Sequence, residues 1–134
     1  MATILVIEDE KPIRTYVSKI LEAEGHAAIC AENGEDGLDL VKQCQPDLVL
    51  CDLVMPKLNG YGVLDALKRD QNTAGIPFVF LSSKCSEEDI RQGMAMGSDD
   101  YLSKPVEKNN LLAAVAAQLQ RITAPGQRDV AYAS

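Results

Sequence analysis

The sequence lacks long hydrophobic runs and a surplus of positive charge. No stretch approaches the roughly 18 consecutive apolar residues of a membrane-spanning helix. The first apolar run meets Glu8 and has no basic segment before it, so no signal peptide is predicted and a cytoplasmic location is expected, with no membrane partner. Lys and Arg number 13 against 20 Asp and Glu. This balance argues against nucleic acid as a direct partner of the chain.

The spacing of the cysteines and the single histidine gives little support to a zinc or redox site. The four cysteines have no C-x-x-C spacing and no neighbouring histidine. Cys30 and Cys51 fall on predicted strands, where small buried hydrophobic residues are expected. The only histidine, His26, lies in a predicted turn, where an exposed position is expected rather than a metal ligand or a catalytic base. Any chemistry therefore has to come from carboxylates, hydroxyls and amines.

Apolar runs alternate with segments of helical periodicity along the chain. A short apolar run bounded by turn residues is typical of a strand that is buried on both faces. Such runs predict strands at residues 3–7, 27–31, 47–52, 76–81 and 101–102. Each is followed by a stretch with apolar residues at helical spacing. In the fourth helix Ile90 and Met94 are predicted to face inward, and in the last helix Leu112, Val115, Leu119 and Ile122.

Five strand–helix units in about 120 residues predict an α/β fold. The expected architecture is a doubly wound (βα)5 sandwich around a five-stranded parallel sheet, in the flavodoxin-like strand order 2-1-3-4-5. One domain accounts for the length. We assign residues 1–122 to this domain. Residues 123–134 have no apolar period and contain Pro125 and Gly126, so they are predicted to be a disordered tail or the start of a linker.

Acidic side chains follow two strands that are neighbours in this order. Glu8 and Asp9 come directly after the first strand, and Asp52 ends the third. Carboxylates a few Å apart repel each other by a few kcal/mol at an effective dielectric constant of about 20, so the pocket needs a raised pKa or a cation. Mg²⁺ prefers oxygen ligands and keeps several waters, which predicts a magnesium site. The alternative is that Glu8 and Asp9 only cap the following helix.

A hydroxyl and an ammonium group are predicted at the same edge of the sheet. Ser82 follows the fourth strand, and Lys104 follows the fifth. Pro105 biases the backbone before it towards an extended form and permits a cis bond. Together with the acids, these groups suit phosphoryl transfer, in which cations neutralise the phosphoryl oxygens while Asp52 attacks in line and forms an acyl phosphate. The alternative for Lys104 alone is an ordinary surface lysine, but its position before Pro105 favours a fixed inward direction.

The pattern resembles the receiver domains of two-component response regulators over residues 3–122. The matching segments are residues 7–10, 51–56, 59–60, 81–83 and 97–105. The resemblance implies phosphorelay signalling by a Mg²⁺-dependent domain that accepts a phosphoryl group from a sensor histidine kinase or a histidine phosphotransfer protein. It implies no enzyme activity beyond self-catalysed phosphorylation and dephosphorylation.

The resemblance also implies a role for each matching residue. The implied roles are phosphoacceptor for Asp52, acidic pocket for Glu8 and Asp9, Mg²⁺ ligands for Asp9, Asp52 and the carbonyl of Val54, switch residues for Ser82 and Tyr101, and phosphate binding for Lys104. On phosphorylation the face made by the fourth helix, fifth strand and fifth helix would change for an output partner. Alanines at positions 113, 114, 116 and 117 stand where receivers that dimerise on winged-helix DNA-binding proteins place a paired arginine. This mode of dimerisation is therefore disfavoured, and a homodimer of another kind is left as an alternative.

Three other interpretations compete with a phosphoaccepting receiver. A haloacid-dehalogenase type of phosphohydrolase expects a second acid two residues after its Asp nucleophile, where this chain has Val54. A flavin carrier expects a loop rich in Ser, Thr and Gly after the first strand, whereas this loop is acidic and would repel a flavin phosphate. The third rival is a degenerate receiver that only binds a partner. The complete set of acidic and basic residues argues against it.

Overall fold

The computed structural model describes residues 1–123, with side chains for residues 1–121. Strands and helices alternate along the whole of this range, as predicted. In chain order the elements are β1 (Thr3–Ile7), α1 (Lys11–Ala23), β2 (Ala27–Ala31), α2 (Gly34–Cys44), β3 (Leu48–Asp52), α3 (Gly60–Arg69), β4 (Phe78–Ser82), α4 (Glu87–Ala95), β5 (Asp100–Ser103) and α5 (Lys108–Thr123). Among these residues no helix is both long and apolar enough to cross a membrane.

The five strands form one parallel sheet in the order β2-β1-β3-β4-β5, which confirms the predicted fold and strand order. In the register of the sheet, Ile7 pairs with Cys51 and Asp52 pairs with Leu81. Ser82 pairs with Ser103. The carboxyl ends of β1, β3, β4 and β5 therefore lie side by side, and the residues that leave these ends share one edge.

Strand side chains alternate between two apolar layers, one on each face of the sheet. The layer under α1 and α5 contains, among others, Ile4, Val6, Leu48, Leu50, Val79 and Leu81. The layer under α2 and α3 contains, among others, Leu5, Ile7, Val49, Cys51, Phe78 and Phe80. Because both faces are covered, the central strands are apolar throughout, and this is why they were recognisable in the sequence.

Some predicted burial positions are wrong. Cys51 is fully buried, but Cys30 is exposed because β2 is an edge strand. In α4, Ile90 and Met94 are 37% and 43% exposed, and the buried residue is Gly93. A Cβ atom there would lie 3.1 Å from the Tyr101 ring. The helix therefore approaches the sheet through its smallest residue rather than through its apolar ones.

The last helix is rotated slightly from the predicted face. Among its described side chains Leu111, Ala114, Val115 and Gln118 are buried, whereas Leu112 and Leu119 are half-buried. The predicted inward side chain of Ile122 lies outside the described ones. Thr123, which was assigned to the tail, is the last residue of the helix. The rest of the predicted tail, residues 124–134, lies outside the described residues.

Candidate functional site

Three carboxylates meet at the carboxyl edge of the sheet, as the strand order predicted. Glu8 is fully buried, Asp52 is 4% exposed, and Asp9 is exposed. One carboxylate oxygen from each lies within 4.8 Å of the others. Asp52 is the last residue of β3, and its Oδ1 lies 3.4 Å from the main-chain nitrogen of Val54. The loop after β3 thus turns its backbone towards the carboxylate, while the Val54 side chain stays 55% exposed.

Lys104 joins two of these acids. Its ammonium nitrogen lies 2.7 Å from Glu8 Oε1 and 3.2 Å from Asp52 Oδ1, and its side chain is 14% exposed. The main-chain nitrogen of Lys104 donates to the carbonyl of Ser82 at 2.9 Å, which fixes the backbone from which the side chain leaves. The bond from Lys104 to Pro105 is cis. Because its ammonium contacts both carboxylates, the lysine side chain is directed into the site rather than into solvent.

Burial governs the ionisation of the two inner acids. It raises the pKa of Glu8 from 4.5 to about 7, although the Lys104 ammonium and a hydrogen bond from the Glu10 main-chain nitrogen act in the opposite direction. Burial also raises the pKa of Asp52, again against the attraction of Lys104. For Lys104 burial alone would lower the pKa, but Glu8 and Asp52 outweigh it and raise the pKa. The site holds more negative charge than one lysine neutralises.

The donor set fits a magnesium ion. All three side chains offer hard carboxylate oxygens, which are the ligands that Mg²⁺ prefers, and exposed Asp9 leaves the site open to the waters that this ion retains. Within the described part of the chain, Glu8 Oε1 is also a buried oxygen without a hydrogen bond of regular geometry, so its charge is compensated by Lys104 alone. A second cation at the acids would relieve the remaining repulsion.

The loop after β1 is tied down by an arginine that the sequence did not single out. Arg14, in the first turn of α1, donates from Nη1 to the carbonyl of Glu8 at 2.8 Å and lies 3.5 Å from the carbonyl of Asp9. Its Nη2 lies 3.5 Å from Glu32. Lys and Arg normally favour the carboxyl end of a helix, because the helix dipole places partial positive charge at the amino end. A cation in the first turn was therefore a signal that could have been noticed.

Ser82 and Tyr101 contact the same residue, Lys84. The Ser82 hydroxyl is buried and accepts a hydrogen bond from the main-chain nitrogen of Lys84 at 2.9 Å. The Tyr101 hydroxyl donates to the main-chain carbonyl of Lys84. The Tyr101 ring lies 5.7 Å from the ring of Phe80 and stands against Gly93 of α4. A chain of contacts thus runs from the site through Lys84 to α4.

The structure brings four of the predicted site residues together: Lys104 contacts Glu8 and Asp52, and a carboxylate oxygen of Asp9 lies within 4.8 Å of both acids. Ser82 lies at the same edge of the sheet, one residue beyond the pairing partner of Asp52. The residue that sequence reasoning missed is Arg14. Its closest acceptors are main-chain carbonyls, which leave no residue-type signature, so its charge in the first turn of α1 is the signal that the sequence offered.

Comparisons with known proteins bear on this site. The family model described as response regulator receiver domain matches residues 4–116. The chain is 40% identical over 119 residues to protein PilH of Pseudomonas aeruginosa, covering 89% of this chain and 98% of PilH. It is 41% identical over 121 residues to the DNA-binding dual master transcriptional regulator RpaA of a Synechocystis species, covering 90% of this chain and 50% of RpaA. The chain therefore spans nearly all of one relative and half of the other.

Solved structures agree with the sequence comparisons. The receiver domain of the Francisella response regulator 1452 superposes with a TM-score of 0.86 at 31% identity, covering 92% of this chain and 100% of that structure. Similarity in both sequence and backbone path extends over the region that contains the acidic pocket and Lys104.

Proposed function

The chain belongs to the response regulator receiver domain family, and from this premise we propose that Asp52 is the residue that accepts the phosphoryl group in a cytoplasmic phosphorelay. The observation that carries the proposal is the geometry around Asp52. Its carboxylate is nearly buried, lies among two further acids, and contacts the Lys104 ammonium at 3.2 Å. A nucleophilic carboxylate beside cation-binding groups is what phosphoryl transfer requires.

In the proposed reaction an oxygen of Asp52 attacks the phosphorus atom of a phosphohistidine. The new O–P bond forms an acyl phosphate as the N–P bond breaks, and the electron pair of that bond returns to the imidazole of the donor. Lys104 is placed to bind a phosphoryl oxygen, since its ammonium already lies between Glu8 and Asp52. Mg²⁺ held by Asp9, Asp52 and the Val54 carbonyl would supply positive charge against the phosphoryl oxygens.

We propose that Ser82 and Tyr101 read the phosphorylated state. A phosphoryl group adds a charge of about −2 and strong acceptor oxygens, which would accept a hydrogen bond from the Ser82 hydroxyl and draw it away from the Lys84 main-chain nitrogen that now donates to it. Movement of Ser82 towards the phosphoryl group would release the Lys84 amide. Because Tyr101 is hydrogen-bonded to the carbonyl of the same residue, the change would reach the face of α4, β5 and α5.

A groove beside the site is our proposed docking surface for the histidine-bearing donor. It has a volume of about 380 Å³ and lies between the start of α1 and the segment after β5. Its lining residues are Pro12, Ile13, Tyr16, Lys104, Pro105 and Val106. All but Lys104 offer mainly apolar surface, and Tyr16 is 45% exposed. Since Lys104 belongs to both the groove and the site, a protein bound there would have its histidine next to Asp52.

Phosphorylation by a small donor tests the proposed function. The chain is incubated with acetyl phosphate or phosphoramidate and Mg²⁺, and intact mass is measured. Wild type should gain one phosphoryl group, whereas Asp52→Asn and wild type in EDTA should gain none, because without the cation the acids repel the incoming group. Phosphorylation of Asp52→Asn, or undiminished phosphorylation in EDTA, would contradict the assignment. Rapid release of phosphate with no accumulation of a phosphorylated mass would favour the phosphohydrolase alternative.

A further inference from the structure

Arg14 makes contacts that the proposed reaction does not use. Its side chain is 13% exposed, although it stands in the first turn of a helix at the rim of the site. Glu10, the residue that precedes the helix, makes no capping hydrogen bond with its side chain. A guanidinium group that is mostly buried near the positive end of a helix dipole is costly unless strong acceptors compensate it. The acceptors here are two main-chain carbonyls of the loop after β1 and, at 3.5 Å, the carboxylate of Glu32.

These carbonyls flank one residue, Asp9. The carbonyl of Glu8 precedes the Asp9 α-carbon and the carbonyl of Asp9 follows it, and they lie 2.8 Å and 3.5 Å from Arg14 Nη1. Arg14 thus contacts both peptide groups that set the direction of the Asp9 side chain. Hydrogen bonds to a charged donor are stronger than neutral ones. The contacts are suited to fixing the orientation of Asp9.

Glu8, by contrast, is held in several other ways. Its main-chain nitrogen donates to the carbonyl of Ala31 at 3.0 Å. Its carboxylate accepts from the main-chain nitrogen of Glu10 at 3.1 Å and contacts Lys104. Loss of Arg14 would leave these contacts in place. The residue whose position depends most on Arg14 is therefore Asp9.

We propose that Arg14 is a positioning residue that holds Asp9 with its carboxylate towards Asp52, so that the affinity for Mg²⁺ depends on it. This deepens the proposed function and rests on it only in taking Asp9 and Asp52 as ligands of the cation. The direction in which Mg²⁺ affinity changes on removal of Arg14 distinguishes positioning from a purely electrostatic effect of its charge. A guanidinium near a cation site repels the cation, so its charge alone would make Mg²⁺ bind more tightly when Arg14 is removed. Positioning makes Mg²⁺ bind more weakly.

The test is a Mg²⁺ titration of the full chain, followed by NMR amide shifts, for wild type and two variants. Arg14→Met keeps an unbranched apolar stem but loses the charge and the donors, and its dissociation constant should rise about tenfold, which corresponds to ~1.4 kcal/mol. Arg14→Lys keeps the charge but lacks the planar fork that reaches two carbonyls, and its constant should lie between the other two. Arg69→Met, which removes an exposed arginine paired with Asp65 on α3, is the control and should bind like wild type.

A second readout separates positioning from a general loss of structure. With acetyl phosphate as donor, the Mg²⁺ concentration for half-maximal phosphorylation of Arg14→Met should rise about tenfold, while the rate at saturating Mg²⁺ recovers. Equal or tighter Mg²⁺ binding by Arg14→Met overturns the proposal. If that variant does not fold, Arg14→Lys decides, and binding equal to wild type overturns it. A wild type that binds no Mg²⁺ refutes the proposed function instead.

Discussion

The Tyr101 hydroxyl donates a hydrogen bond to the main-chain carbonyl of Lys84. The amide of the same residue is held by the Ser82 hydroxyl at 2.9 Å, so one residue links the two proposed switch groups. The link consists of single hydrogen bonds at the carboxyl end of β4, directly before α4. Removing either hydroxyl should therefore leave phosphorylation intact but weaken its transmission to α4.

We expect Tyr101→Phe to be phosphorylated by acetyl phosphate like wild type, yet to show smaller phosphorylation-dependent NMR shifts in α4 and β5. Loss of one hydrogen bond should lower the free energy of unfolding by about 1 kcal/mol. Ser82→Ala should show the same loss of response. Tyr61→Phe is the matched control, because the Tyr61 ring also packs on Phe80, with centroids 5.5 Å apart. Full-sized α4 shifts in both Ser82→Ala and Tyr101→Phe would count against the coupling.

A second prediction concerns pH. The pKa of Glu8 is raised from 4.5 to about 7 in the folded chain, so between these values the folded chain retains a proton that the unfolded chain has released. The free energy of unfolding should therefore fall as pH rises through this window, by at most about 1.4 kcal/mol per pH unit. The contribution is fully present below pH 4.5 and is lost above about 7. Urea unfolding in EDTA at several pH values measures it.

Glu8→Gln is the control for this pH dependence, since the amide does not titrate. Wild type should lose stability relative to Glu8→Gln as pH rises from the lower to the higher end of the window. Asp52, whose pKa is also raised, is present in both chains and its direct contribution cancels in the difference. A difference in unfolding free energy that stays constant with pH would show that Glu8 does not titrate in this range.

Gly60 allows a close approach of α3 to the site. A Cβ atom at this position would lie 2.6 Å from the Asp52 carbonyl oxygen and 2.9 Å from the Leu53 α-carbon. Backbone atoms cannot move aside cheaply, so Gly60→Ala should lower the free energy of unfolding by about 1–3 kcal/mol. Gly75→Ala is the control, because nothing lies within 4 Å of its added atom. Equal stability of the two variants in urea unfolding would contradict the packing argument.

The central strands were predictable because a strand that is buried on both faces is a nearly continuous apolar run, and such a run is visible in a short stretch of sequence. All five strands, including β3 with Asp52 at its end, occupy nearly the predicted residues. The inner face of α4 was not predictable in this way. Spacing pointed to Ile90 and Met94, but the Tyr101 ring fills the space beneath the helix and only Gly93 fits against it.

The candidate site also has a part that the sequence predicted and a part that it did not. Carboxylates and a lysine placed at strand ends could be assigned to one edge once the strand order was inferred. Arg14 could not, because its role depends on how the loop after β1 turns its carbonyls towards α1. The exposure of Cys30 also required knowing that β2 lies at the edge of the sheet. Contacts that depend on the path of a loop or on the position of a strand are set by the whole fold.

The groove between α1 and the segment after β5 predicts a difference between protein and small-molecule donors. Tyr16→Ala should slow phosphotransfer about tenfold when the donor is a histidine kinase chosen because it phosphorylates wild type, since truncating an interface aromatic typically costs 1 kcal/mol or more. Phosphorylation by acetyl phosphate should be unchanged. Met94→Ala, on the other face of the sheet and 43% exposed, is the control. A Tyr16→Ala rate equal to wild type with the kinase would remove the groove as the docking surface.

The last prediction concerns the lifetime of the acyl phosphate and depends on Val54. Its main-chain nitrogen lies 3.4 Å from Asp52 Oδ1, and its side chain is 55% exposed. Hydrolysis needs a water held in line with the departing oxygen. A valine offers no hydrogen bond to such a water, and its branched side chain covers part of the approach. Lys84 is exposed nearby, but an exposed ion pair with the phosphoryl group is worth at most about 1 kcal/mol.

Val54→Asn should therefore shorten the phosphorylated lifetime by several-fold to about tenfold, equivalent to ~1.4 kcal/mol in the activation free energy. The decay of the phosphorylated mass after removal of acetyl phosphate measures it. Val54→Ala uncovers the approach without offering a hydrogen bond, so a smaller effect there would assign the gain to holding the water. Equal shortening of the lifetime in both variants would assign the effect to easier access of water to the phosphorus. A lifetime that is unchanged or longer in Val54→Asn would mean that water reaching the phosphorus past Val54 does not limit hydrolysis.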